Sequence, residues 1–184
     1  MSMWHRESPV IDGGQHSKPT FTPISDPPPR EIAPVPRQDG NGAVGNWPYA
    51  SYLELAALPA APSCARLHTK ARLIEWRLSE VSEDAELVAS ELATNAMLAS
   101  PAVGESPALI RLWLFGDACQ LVIVVWDGSR QPPVLTCAPA LAEHGRGVWL
   151  VSELSSDWGW YERPDIGGKC VWTQFRMPSS GYLQ

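Results

Sequence analysis

Residues 121–126, Leu-Val-Ile-Val-Val-Trp, are the longest unbroken apolar run in the chain. That is far short of the roughly 20 residues a helix needs to cross a bilayer. The run is rich in β-branched side chains and ends in the turn sequence Asp127-Gly128-Ser129. It therefore reads as a central strand covered on a face by helices. Such a strand needs hydrogen-bonded neighbours and helical cover, and the rest of the chain must supply both.

The neighbours are legible on either side. Strands are expected at 108–115 and 119–126, joined by Gly116-Asp117-Ala118 as a short hairpin connection. A strand at 51–56 precedes them. A last hairpin pairs 158–162 with 169–177 across the turn-rich Pro164-Asp165-Ile166-Gly167-Gly168. The helical cover comes from three segments. Cys64, Leu67, Ala71, Ile74 and Leu78 recur at helical spacing behind Ser63, a candidate N-cap. Ala85, Val88, Leu92, Ala96 and Ala99 form the apolar face of a helix over 83–99, with Ser82 as cap and Ser100-Pro101 as stop. Val148, Val151 and Leu154 mark a third helix. The order β-α-α-β-β-α-β-β predicts an α+β fold: a two-layer sandwich with a mostly antiparallel, mixed sheet and helices on one face.

The front of the chain is different in kind. Of its 18 prolines, 11 fall within residues 1–62. Pro27-Pro28-Pro29, Pro34 and Pro36 favour polyproline II, and few large apolar residues accompany them. The expected organisation is a Pro-rich disordered tail at 1–46, a globular domain at 47–178 and a short tail at 179–184. The front tail reads as solvated chain or as a docking segment. A net charge of -6 argues against a general nucleic-acid binder, which needs a basic footprint to displace counterions. The first ten residues, MSMWHRESPV, carry no apolar signal core. Cys64, Cys119, Cys137 and Cys170 are far apart, with no metal-type pairing, and read as reduced thiols. A cytoplasmic protein without membrane contact is the expectation.

Three polar sets stand where the pattern predicts burial. Glu91 and Asn95 are one turn apart on the second helix and share a side of it. They are either surface residues of that helix or a carboxylate that deprotonates a nucleophile beside an amide oxygen suited to Mg²⁺. Asp127 follows the buried strand directly and either forms a turn or accepts hydrogen bonds from a ligand amine. Gly145-Arg146-Gly147-Val148 opens the third helix, where free backbone N–H groups can bind phosphate. It is neither a dinucleotide fingerprint nor a Walker A loop. The histidines His5, His16, His68 and His144 carry no recognisable motif. Most of the nine tryptophans should pack in the core or on the sheet.

Taken in order, E-L-A-T-N-A (91–96), V-V-W-D-G-S (124–129) and G-R-G-V-W-L-V (145–151) resemble the N, G1 and G2 boxes of the GHKL ATP-binding fold. The subgroup they resemble is the anti-sigma-factor serine/threonine kinases and their actinobacterial relatives. G-K-C-V-W (168–172) and L-P-A-A-P-S-C-A-R (58–66) are similar to that subgroup too. The resemblance implies the GHKL, or histidine-kinase-like ATPase, fold with ATP and Mg²⁺ as cofactors. It implies Glu91 as general base, Asn95 as Mg²⁺ ligand and Asp127 as the adenine-amine acceptor. Ser129 stands in the G1 box, and Gly145, Arg146, Gly147 and Val148 form the phosphate loop. Residues 128–144 would be the lid. G1 departs from the common D-x-G-x-G, being Asp127-Gly128-Ser129-Arg130-Gln131. The implied function is transfer of the ATP γ-phosphoryl to a protein partner and control of transcription through protein binding. The alternative is a non-catalytic nucleotide-binding regulator that sequesters a transcription factor. The implied partners are a sigma factor, an anti-anti-sigma factor or a DNA-binding regulator. Relatives of this kind often dimerise, so a homodimer is a further expectation.

Overall fold

The computed structural model describes residues 47–100, 107–133 and 147–177. In chain order these form β1 (Tyr49–Ala56), α1 (Ala61–Trp76), a single 3₁₀ turn (Ser79–Val81), α2 (Ser82–Ala99), β2 (Leu109–Gly116), β3 (Gln120–Asp127), α3 (Gly147–Leu154), β4 (Asp157–Glu162) and β5 (Lys169–Arg176). The five strands make one sheet in the order β1-β2-β3-β5-β4, and every pairing is antiparallel. The expected α+β two-layer architecture is the one observed.

β3 sits in the middle, as its unbroken apolar sequence requires. Successive side chains leave a strand on opposite faces. Leu121, Ile123 and Val125 therefore join Ile110, Leu112 and Leu114 of β2 and Val171 and Phe175 of β5 beneath the helices. Val122 and Val124 face the other way, with Trp113, Phe115, Cys170 and Trp172. The sheet thus has an apolar cluster on each face. Trp158 and Trp160 of β4 pack against the helix-side core, whereas Trp47, Trp126 and Tyr161 pack with the outer cluster. In the β2–β3 connection, Asp117 Oδ1 accepts from the backbone N–H groups of Cys119 (2.7 Å) and Gln120 (2.9 Å), an Asx-type closure.

The helices lie across the sheet in the order α1, α2, α3, with α2 packed on both its neighbours. The second helix follows its expected face: Ala85, Val88, Leu92 and Ala96 are buried, joined by Ala89 and Ala93, while Ala99 is half-buried. Its expected cap does not form. Ser82 lies inside the helix and donates to Glu86 Oε1 at 2.9 Å.

The first helix departs further. It begins at Ala61 with Pro62 in its first turn, where a missing N–H costs nothing, so Ser63 caps nothing. Its buried residues are Ala61, Ala65, Thr69, Leu73 and Trp76. The expected stripe is wrong in phase: Cys64 and Ala71 are exposed, Leu67 is 66% exposed and Ile74 60%. Leu78 is buried, but beyond the helix end. The reason is packing density. Apolar residues lie on two faces of α1 and only one can enter the core: the face with Ala61, Ala65, Leu73 and Trp76 does, which leaves Leu67 and Ile74 outside. Thr69 is accommodated because its hydroxyl donates to Ala65 O at 2.9 Å. Arg66 reaches across to Glu86 at 3.4 Å, and Trp76 stacks on Tyr49 of β1.

α1 ends on Arg77 in the left-handed conformation (φ 59°), with Leu78 N–H bonded to Leu73 O at 2.9 Å. Glycine usually fills this position because a Cβ is strained there. Arg77→Gly should therefore raise stability by about 1 kcal/mol, read as a higher midpoint in urea at unchanged slope.

Candidate functional site

Chain direction decides which end of the sheet carries the polar residues. β1 ends at Ala56 opposite Leu109, and Ile110 pairs with Asp127, so the start of α1, the start of β2 and the end of β3 share one end. α1 runs away from that end and α2 runs back towards it. Glu91 and Asn95 fall in the returning half of α2. At 100° per residue they lie roughly opposite Glu86, which faces α1 through Arg66. They therefore occupy the flank of α2 turned towards α3.

Both are half-buried. Burial pushes the Glu91 carboxyl above its ordinary value of 4.5, and no ion pair or hydrogen bond to another described residue opposes this. A partly desolvated carboxylate with no partner among the described residues holds its proton more tightly than an exposed one.

Asp127 is 2% exposed and lies on the helix-facing side of β3, in phase with Val125. Its cross-strand partner in β5 is Lys169, 3% exposed, whose Nζ lies 2.8 Å from Oδ1. The same oxygen accepts the Ser129 backbone N–H at 2.8 Å. Burial pushes this carboxyl up, and the Lys169 ammonium and the Ser129 N–H pull back against it. Oδ2 receives no donor from the described residues.

The connection between β4 and β5 locks this end of the sheet. Gly167 and Gly168 both have positive φ (73° and 76°). Gly168 lies against the backbone of Asp127, where any Cβ would collide with the Asp127 carbonyl. Trp126 Nε1 donates to Gly167 O at 2.9 Å. Arg163 holds Asp165 through two bonds, at 2.9 and 2.8 Å, which keeps the Asp165 carboxyl down at about 2. Gly168→Ala should cost about 1–3 kcal/mol of stability through overpacking. It should also shift the Asp127 and Lys169 side-chain resonances, the NMR observable that checks it.

Asp127 thus stands at one end of the sheet with Ser129 folded back onto it, while Glu91 and Asn95 stand in the second half of α2, which runs towards that end. Gly147 and Val148 open α3. Gly145 and Arg146 lie outside the described residues, as do His144, Cys137, most of the expected lid and both expected tails. Lys169, Gly168 and Glu86 were not singled out from sequence as working residues. G-K-C-V-W was the available signal for the first two, but only the β3–β5 register shows that its lysine meets Asp127. His68, without a motif, bonds Ser51 Oγ at 2.9 Å. Among the described residues no three His, Cys, Asp or Glu side chains cluster to hold a metal ion, and no helix is long and apolar enough to cross a membrane.

No family model matches the chain, and no curated protein matches it. Among solved structures it is similar to the RsbU and RsbW domains of Rv1364c from Mycobacterium tuberculosis, at 18% identity and a TM-score of 0.49. The match covers 71% of this chain and 33% of that one, so this chain spans about a third of the length of its structural neighbour. A likeness at this level says nothing about activity.

Proposed function

We propose that the chain is an ATP-binding regulator which phosphorylates a serine or threonine hydroxyl of a protein partner. The observation that carries this reading is Glu91, a half-buried carboxylate with no ion pair or hydrogen bond to another described residue, on the helix that runs towards the end of the sheet holding buried Asp127. The order of the three boxes in the sequence supports the nucleotide as ligand.

The residues fit such a ligand. Asp127 Oδ2, which receives no donor from the described residues, would accept the exocyclic amine of adenine, while Lys169 and Ser129 hold the carboxylate in place through Oδ1. Asn95 offers one hard oxygen from its carboxamide. With no protein cage of acidic ligands among the described residues, a cation here would take most of its oxygens from phosphate and water, as Mg²⁺ commonly does. Gly145, Arg146, Gly147 and Val148 would present backbone N–H groups to the phosphates. ATP would supply the phosphoryl group, and Mg²⁺ would offset its charge. Glu91 takes the proton of the attacking hydroxyl as the new O–P bond forms and the bond to the ADP oxygen breaks. Partners of the sigma-factor, anti-anti-sigma or DNA-binding regulator class, a homodimer, a cytoplasmic location and a globular domain at 47–178 all belong to the same reading.

Two observations favour the non-catalytic alternative, in which the protein binds nucleotide and sequesters a transcription factor. Asp127 Oδ1 is already engaged, and Ser129 replaces a common G1 glycine. Labelled ATP with a candidate partner separates the two. Ligand-induced stabilisation of about 2.7 kcal/mol at a hundredfold excess over Kd accompanies either. Label on the partner accompanies only the first. Absence of any thermal shift with ATP and Mg²⁺ defeats both.

A further inference from the structure

The end of the sheet away from Asp127 carries a cleft that the candidate nucleotide site does not use. β1 begins there: Tyr49 pairs with Gly116, and Gly116 pairs with Leu121 beside the β2–β3 hairpin. Asp127 closes the other end of β3, about 20 Å away along the strand. The cleft has a volume of about 270 Å³ and forms where the start of β1, the end of α1, the 3₁₀ turn, the hairpin and the end of β5 meet. Its buried lining is apolar and closely packed. Trp76 and Leu78 are buried, and both lie against Gly116, where a Cβ would come 3.0 Å from Leu78 Cδ1 and 3.6 Å from the Trp76 ring. Tyr49 stacks on Trp76, with ring centroids 5.5 Å apart and 15° between the planes. Ala118 and Met177 complete the apolar lining, and Met177 N–H is held by Cys119 O at 2.8 Å.

The exposed lining is charged. Arg77 and Glu80 have opposite signs, and neither side chain has an ion pair or hydrogen bond among the described residues. Arg77 also holds a left-handed backbone (φ 59°), which glycine adopts without strain. Strained residues tend to gather at binding sites, and here the strained residue is one that lines the cleft. We propose that this cleft binds a free α-amino acid with an apolar side chain. The ligand carboxylate pairs with the Arg77 guanidinium, whose planar fork suits it. The ligand ammonium pairs with Glu80. The ligand side chain lies on Leu78, Met177 and the Tyr49–Trp76 stack. A ligand with one charge leaves either Arg77 or Glu80 unpaired, and one without an apolar body leaves the buried lining in water. Volume sets the size: drug-sized ligands fill about 300–1,000 Å³, and this cleft holds something smaller. Nucleotide binding at Asp127 is not required for this.

The test is an NMR titration of the full chain, without nucleotide, following the Met177 and Ala118 methyl groups. The probes are L-phenylalanine, N-acetyl-L-phenylalanine and L-phenylalanine amide. The two derivatives keep the apolar body but lose the ammonium or the carboxylate, and so stand in for a peptide C-terminus and N-terminus. L-Phenylalanine is expected to shift both methyl signals saturably and to bind about tenfold more tightly than either derivative, the usual worth of one charged hydrogen-bonded contact. Arg77→Gly and Glu80→Gln should each weaken its binding by a similar factor. Arg77→Gly is informative because the fold gains from it, so lost binding cannot come from unfolding. Absence of saturable shifts with L-phenylalanine would overturn the proposal. So would a derivative that binds as tightly, or unchanged affinity in either variant.

Discussion

Glu91→Gln is expected to lower phosphotransfer to a protein partner by about 10²–10⁴-fold, the range typical of a lost general base, without lowering the melting temperature. The second half of that result is the more discriminating. A structural carboxylate loses stability on neutralisation because its partners are stranded. Glu91 has no such partner among the described residues, and its only perturbation is burial, which pushes its carboxyl above 4.5. Gln keeps the size and removes the desolvated charge, so the variant should be as stable as the natural protein or slightly more so at neutral pH. The pH dependence follows from the raised value. Above the folded-state pKa the natural protein carries the cost of the buried charge. Below the ordinary value the group is neutral in both folded and unfolded chains. The stability gap between Glu91→Gln and the natural protein should therefore be widest near neutrality and close as pH falls through the raised value. The acid limb of the activity profile should sit above 4.5 for the same reason. Thermal melts of both proteins across that range check the first, and initial rates check the second. A stability loss on Glu91→Gln would place the residue in the scaffold instead.

Asp127→Ala is expected to cost about 3–5 kcal/mol, because it leaves the Lys169 ammonium buried without its counter-ion. The pair is closed on both sides: Asp127 is 2% exposed and Lys169 3%, with 2.8 Å between Nζ and Oδ1. Removing both charges is a different experiment. Asp127→Leu with Lys169→Met replaces the pair by apolar groups of similar bulk, and such exchanges are often neutral or stabilising by about 1–4 kcal/mol. The double variant should therefore recover most of what the single loses, a non-additivity read directly from urea midpoints. This coupling changes what Asp127→Asn can show. From sequence it looks like a clean probe of nucleotide affinity. In the folded protein it also weakens the bond to Lys169, so a loss of binding would be mixed with a loss of fold. The double variant separates the two.

The order of elements and the two-layer architecture were legible because they rest on strong local signals: β3 is apolar throughout, and the turns at Gly116-Asp117-Ala118 and 164–168 punctuate it. The phase of α1 was not. Its apolar residues lie on two faces, and the choice between Leu67 with Ile74 and Ala65 with Leu73 is made by the fit against α2, which no periodicity within α1 records. The expected caps fail for a related reason, since Ser63 and Ser82 stand at plausible spacings but inside the helices. The polar set shows the same division. Glu91, Asn95 and Asp127 announce themselves as polar residues among apolar neighbours. Lys169 and Gly168 do not, because their roles come from strand register and from the approach of one backbone to another. Cys170 is similar: on the outer face it is wholly buried, which pushes its thiol up to about 11 and keeps it unreactive, while Cys64 and Cys119 are exposed.

The account stands on a nucleotide site anchored at Asp127, and calorimetric titration of ATP with Mg²⁺ into the natural protein and into the Asp127→Leu/Lys169→Met variant addresses it directly. The natural protein should bind one equivalent per chain, and the folded double variant should bind none. Equal heats and affinities in both proteins, or no binding by the natural one, would contradict it.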